Sequence, residues 1–154
     1  MEVVKRGISS CTIRSVREGD FYALNLLCSQ LSSDVTLEDI KYRCSSIDTN
    51  EDSILLVAED AGILTGWIQA QVERKAQKYN FGIIQGLVVD KPMRKRGFGR
   101  ALVEAVELWC SEKGSRSIRL CSGKDRKEAH RLFEDMGYTY NEKYSCFYKE
   151  LKVN

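Results

Sequence analysis

The segment from Val88 to Trp109, VVDKPMRKRGFGRALVEAVELW, constrains the fold of this chain more than any other part of it. A β-rich apolar run, IIQGLVVD, stops at a loop carrying the only proline, Pro92. A basic glycine loop follows, RKRGFG from Arg94 to Gly99, and an amphipathic helix begins without a gap. Strand, glycine loop and helix in that order place open backbone N–H groups at a helix start, beneath positive side chains. Such a junction holds anions through its amides and the helix dipole, so the segment predicts phosphate binding. Two familiar phosphate loops are excluded by spacing. Neither Gly97 nor Gly99 precedes the Lys-Ser/Thr pair of a Walker loop, and Leu102 stands where a dinucleotide fingerprint needs its third glycine. What remains is R-x-x-G-x-G, made by Arg94, Gly97 and Gly99.

A chain of 154 residues is the size of one domain, 1–154, with a genuine core. A net charge of +2 argues against nucleic acid as a partner, because the positive charge is local to Lys91, Arg94, Lys95, Arg96 and Arg100. No apolar run approaches the ~20 residues of a membrane span, and the N-terminus has no signal-peptide block. The expected location is cytoplasmic, with no membrane partner. The six cysteines have no zinc or dithiol spacing along the chain, so they read as reduced, buried hydrophobes, and no metal site is expected.

Along the chain, CTIRSV suggests a first strand. Leu24, Leu27, Cys28 and Leu31 mark one helix, and Thr36 with Asp39 caps a second striped by Leu37, Ile40, Cys44 and Ile47. SILLVAED and ILTGWIQAQVE read as a hairpin about Asp60 to Gly62, and FGIIQGLVVD as the next strand. The helix after the glycine loop buries Ala101, Leu102, Ala105, Val106 and Trp109, and Gly114 stops it. SIRLCS is a strand. Asp125 with Glu128 caps a last helix with Ala129, Leu132, Phe133 and Met136 inward, before the strand YSCFYKEL. His130 lies about 100° from the Ala129 face and reads as an exposed structural histidine. The pattern is mixed α/β, not regularly alternating.

The glycine-loop segment and EAHRLFEDMGY downstream resemble the GCN5-related N-acetyltransferase (GNAT) superfamily. Ala129, Leu132, Gly137 and Tyr138 fall in register with the family's last-helix motif, and Gly66 to Ile68 look like its third strand. The resemblance implies a mostly antiparallel twisted sheet of six to seven strands flanked by about four helices, with the fourth and fifth strands splayed. It implies an enzyme, an acetyl-coenzyme A-dependent N-acetyltransferase. By resemblance, amides of Arg94, Lys95, Arg96, Gly97, Phe98, Gly99 and Arg100 cradle the pyrophosphate, with Lys91, Arg96 or Arg100 near the 3′-phosphate. The Val89 backbone meets the pantetheine, the Leu87 and Val88 amides approach the thioester, and Arg126 and Phe133 complete the coenzyme A-binding set. The acceptor implied is a primary amine, of a small molecule first and of a protein N-terminus or lysine second, walled by the helices between Asp20 and Ile47. A homodimer through an edge strand is compatible with the fold.

The chain departs from the family where proton transfer is expected. Phe133 stands where many relatives have a tyrosine that protonates the departing thiolate. GIIQG offers Ile83 and Gln85 where many have a glutamate base, and a glutamine accepts no proton at neutral pH. Gln85, Glu73 and Tyr144 are the nearest-looking substitutes, with Tyr79 and Tyr140 behind them. An alternative reading is a coenzyme A-binding module with little turnover.

Overall fold

The structure, a computed structural model, describes residues 2–4, 11–31, 34–74, 76, 79–121, 126–142 and 146–152, the first three by backbone alone. In chain order the elements are β1 (Glu2–Val4), β2 (Cys11–Ser15), α1 (Phe21–Ser29), α2 (Leu37–Asp48), β3 (Ser53–Asp60), β4 (Ile63–Glu73) and β5 (Phe81–Val89). There follow α3 (Phe98–Glu112), β6 (Ser117–Cys121), α4 (Lys127–Asp135), β7 (Thr139–Asn141) and β8 (Cys146–Glu150). One sheet runs in the order β1-β2-β3-β4-β5-β6-β8-β7. Every described pairing is antiparallel except β5 with β6. The mixed class, the antiparallel majority and the four helices are those expected. Among the described residues the strands number eight rather than six to seven, because three-residue strands β1 and β7 extend the two edges. Segments that short carry no readable periodicity.

Helices cover both faces, so the central strands bury alternate residues on opposite sides. Leu55, Val57, Trp67 and Val88 lie under Leu24, Leu27 and Cys28 of α1 and Ile40 and Cys44 of α2. Leu56, Ala58, Ile68, Ala70, Val72 and Ile84 face α3, which contributes Phe98, Leu102, Val103, Val106 and Trp109, while Phe133 of α4 and Met136 just past its end join them. The 3-10 turn Glu18–Asp20 leads into α1. There Asp20, buried, takes both guanidinium NH groups of Arg14 at 2.7 and 2.9 Å and the Arg17 N–H at 2.7 Å. The Thr36–Asp39 capping box on α2 forms as the sequence indicates.

Three local expectations change. Leu31 lies beyond the end of α1 and is exposed, since the apolar stripe outlasts the helix. The first residue of α4 is Lys127, so the cap position falls on Arg126, which makes no side-chain cap bond; Asp125 lies outside the described residues. His130 is half-buried, its ring centroid 4.8 Å from Phe147 and 5.2 Å from Tyr140, so it packs rather than projects.

Two irregularities in β5 position the site. First, Gln69 pairs with Gly86 but Ala70 with Ile84, leaving Gln85 as an extra, bulged residue. In a regular strand Ile84 and Val88 would share a face; the bulge inverts the alternation, sending Ile84 toward α3 and Val88 toward α1 and α2. The Trp67 ring lies against the Gly86 backbone, where a Cβ would come within 2.7 Å of it. Second, β5 pairs with β6 only from Phe81 to Ile84, against Ser117 to Leu120. Beyond Ile84 the two strands part, as the resemblance implies.

Candidate functional site

The opening between the parted strands is the floor of a cleft of about 830 Å³. Its walls include Ile84 to Leu87 and Val89 of β5, the loop and first turn of α3, Leu120 and Cys121 of β6, and α4 from Arg126. Which β5 amides face the cleft follows from the ladder. The Asp90 N–H donates to the Thr65 carbonyl at 2.7 Å, one step past the Gly66–Val89 pair. Bonded and non-bonded pairs alternate, so Val88 and Gly86 bond to β4 while the N–H and C=O of Leu87 and Val89 point to the opened side. The Arg94 Nε–H donates to the Val89 carbonyl from that side at 3.0 Å. Leu87 thus brings an amide donor into the cleft with no strand partner beyond it. The Val88 amide is differently placed from the sequence expectation: it belongs to the β4 ladder, and its side chain is buried under α1 and α2.

At the other end of the cleft the glycine loop curls into α3. Gly97 holds φ at +93° and Lys95 at +63°, and Gly97 takes the N-cap position. Left-handed residues in a short loop turn successive amides toward a common concavity. The N–H groups of Phe98, Gly99 and Arg100 have no acceptor within the helix by position. Gly99 serves packing, since a Cβ there would sit 3.1 Å from Leu132 of α4 and 3.5 Å from Val89. Glycine is therefore favoured at 97 by conformation and at 99 by the close approach of Leu132.

Among the described residues six basic side chains line the cleft, Arg94, Lys95, Arg100, Arg126, Lys127 and Arg131, against two acidic ones, Glu128 and Asp135. The ion pairs of Arg94 and Lys95 with Glu128 and of Arg100 with Glu104 are 3.8–3.9 Å long and solvent-exposed. Such pairs contribute ~0–1 kcal/mol, too little to hold these groups from a phosphate. Arg96 differs from the expectation: it does not line the cleft. Its guanidinium stands 5.7 Å over the Phe98 ring, 3.8 Å from Asp60, and donates to Met93 Sδ at 3.2 Å. Lys91 is likewise absent from the walls, its N–H donating to Gln30 Oε1 at 3.2 Å. Lys127 and Arg131 were missed in the sequence; their spacing of four on one helix face was the available signal.

Phe133 lines the cleft yet is fully packed, its ring centroid 5.3 Å from Tyr138 and 5.6 Å from Phe147. Burial and the Glu107 carboxylate push the Tyr138 phenol far above its ordinary range, and it donates to Glu107 at 3.0 Å. Gln85 extends onto the α1–α2 face of the sheet, accepting from Gln69 Nε2 at 3.1 Å and donating to Gln71 Oε1 at 3.0 Å. Arg43 of α2 donates to Gln69 Oε1 at 3.3 Å. Glu73, two residues past Gln71, stands on the same face at the far end of β4. Tyr79 is exposed beneath the Arg116 guanidinium, and Tyr140 packs on Phe147 and His130; neither lines the cleft. Tyr144 lies outside the described residues. Among the described residues no cluster of metal-ligating side chains occurs, and no helix is long and apolar enough to cross a membrane.

Comparison with known proteins agrees with this fold. The model of the acetyltransferase (GNAT) family matches residues 20–138. A curated relative, an uncharacterized N-acetyltransferase YhdJ of Bacillus subtilis (strain 168), is 26% identical over 114 residues, covering 73% of this chain and 80% of its own. Among solved structures, the aminoglycoside N-acetyltransferase AAC(6')-Iy in complex with CoA superposes with a TM-score of 0.78 at 19% identity, over 91% of this chain and 94% of that one. Glucosamine-6-phosphate N-acetyltransferase from Arabidopsis thaliana gives 0.74 at 23% identity, over 86% and 94%. The chain belongs to the GNAT acetyltransferase family. It is an acyltransferase whose acyl donor is acetyl-coenzyme A.

Proposed function

We propose that the chain moves an acetyl group from acetyl-coenzyme A to a primary amine of a small molecule, by direct attack within a ternary complex. The parting of β5 from β6, which leaves the Leu87 amide facing the cleft, carries this reading. A donor at that position stabilises the oxyanion that forms as the amine attacks; comparable donors elsewhere contribute ~2.7–4 kcal/mol. The amides from Gly97 to Arg100, with Arg94, Lys95, Arg100 and Arg126 around them, hold the phosphates at the opposite end. Val89 and Leu87 line the pantetheine path, and Phe133 closes it with an apolar wall.

The acceptor approaches from the α1–α2 face, where Gln69, Gln71 and Gln85 form a hydrogen-bonded row. These amides orient an amine or a water but take up no proton. The rate then rests on proximity and on the oxyanion donor, with a thiolate as a tolerable leaving group. The CoA-bound aminoglycoside N-acetyltransferase neighbour supports a small-molecule acceptor by analogy of fold alone. A module that binds acetyl-coenzyme A with little turnover is the second reading, favoured by Phe133 in place of a proton donor.

Calorimetric titration with acetyl-coenzyme A tests the site, alongside the Gly97→Asp, Gly99→Asp double variant. The wild type binds, and the variant, with two carboxylates and two Cβ atoms in the loop, loses the heat. Thiol release on adding small amines then distinguishes turnover from binding alone. Absence of binding by folded wild type removes the donor-site assignment.

A further inference from the structure

Four of the six thiols, Cys11, Cys28, Cys44 and Cys110, are buried; Cys121 is exposed and Cys146 half-buried. These last two are partners in the sheet, Cys121 ending β6 and Cys146 opening β8 directly opposite. The ladder gives the kind of pair. The Leu151 N–H donates to the Arg116 carbonyl at 2.6 Å, one step beyond the Ser117–Glu150 pair. That makes Ser117–Glu150 a non-hydrogen-bonded pair, and alternation assigns Arg119–Tyr148 and Cys121–Cys146 to the same kind. Non-hydrogen-bonded partners have Cα atoms ~4.5 Å apart with side chains on one face, inside the ~4.4–6.8 Å that a disulfide spans. The two sulfurs already interact: a hydrogen bond with Cys121, together with burial, pushes the Cys146 thiol up to about 11. Cys121 also lies on the wall of the cleft.

We propose that Cys121 and Cys146 form a thiol-modification site, a dithiol that reacts with small-molecule disulfides and closes into a cross-strand bridge on the cleft wall. The more exposed Cys121 reacts first. Its thiolate attacks one sulfur of a disulfide RSSR, the S–S bond breaks, and RS⁻ departs. Cys146 then loses its proton to solvent and attacks the Cys121 sulfur of the mixed disulfide, expelling the second RS⁻. The dithiol gives up two protons and two electrons, and RSSR becomes two RSH. Without the second step the R group would stay on the wall of the cleft; closure by Cys146 clears it.

The test uses the fully reduced protein under native conditions, with oxidised glutathione as the probe, acid quenching, alkylation of remaining thiols and peptide mapping by mass. The expected product is a Cys121–Cys146 bridged peptide with both free thiols lost. In Cys146→Ser the reaction stops with one glutathione on Cys121. Both thiols remaining alkylatable in the wild type overturns the proposal, as does a stable glutathione adduct without closure, or a bridge to any other cysteine. The wild-type map decides the matter even where a variant fails to fold.

Discussion

At the scale of single residues, the pair formed by Arg14 and Asp20 shows how much a buried charge depends on its partner. Burial pushes the Asp20 carboxyl up, but the hydrogen bonds from Arg14 and the Arg17 N–H outweigh it and leave the carboxyl below its usual value. Glu59 takes the remaining Arg14 Nε–H at 2.7 Å. Asp20→Asn would remove the buried carboxylate that takes both Arg14 NH groups and leave Glu59 as the remaining charged partner, an expected loss of about 2 kcal/mol read by urea unfolding at neutral pH. A lowered carboxyl contributes stability above its unfolded pKa of ~3.9 and loses it as pH falls through the folded value. The gap between wild type and variant is therefore flat from neutral pH to about 5 and closes below about 4. The sequence does not show the two as a pair. Arg14 reads there as one polar position in a strand, and only the 3-10 turn carries Asp20 back against it.

At the scale of elements, the β5 bulge does most to build the cleft. It turns Leu87 and Val89 toward α3 and α4 and places Gln85 with the other glutamines on the opposite face. GIIQGLVVD shows none of this as a pattern, since one inserted residue makes apolar spacings ambiguous between the two faces. The requirement for glycine at 86 is the Trp67 ring above it. A methyl group there overpacks the sheet against α1 and α2. Gly86→Ala is expected to cost about 1–3 kcal/mol by denaturant unfolding, with the bulge itself retained. A cost near zero would mean that the ring moves freely aside. By contrast, the glycine loop and α3 were readable almost residue by residue, because capping, glycine placement and an apolar stripe are local signals.

At the scale of the molecule, the cleft exists because one sheet is paired at one end of β5 and unpaired at the other. A ligand lying between the parted strands joins elements that the ladder leaves separate. A ligand that binds only the folded state stabilises it by mass action, ~2.7 kcal/mol at a hundred times its dissociation constant. Acetyl-coenzyme A is expected to raise the unfolding midpoint accordingly. Amide exchange would localise the effect, with new protection at Leu87, at Val89 and from Phe98 to Arg100. A uniform slowing that spares those amides would place the ligand elsewhere.

The sequence by itself determined the local elements, the family and the position of the phosphate loop, since each rests on neighbours within one or two turns of chain. Tertiary structure decided which amides of β5 face the cleft and which basic groups line it. It turned Arg96 away to Asp60, brought in Lys127 and Arg131, and set Cys121 beside Cys146. Those outcomes depend on register and on strand divergence, set by pairings between distant segments, and a one-residue shift in either exchanges the faces.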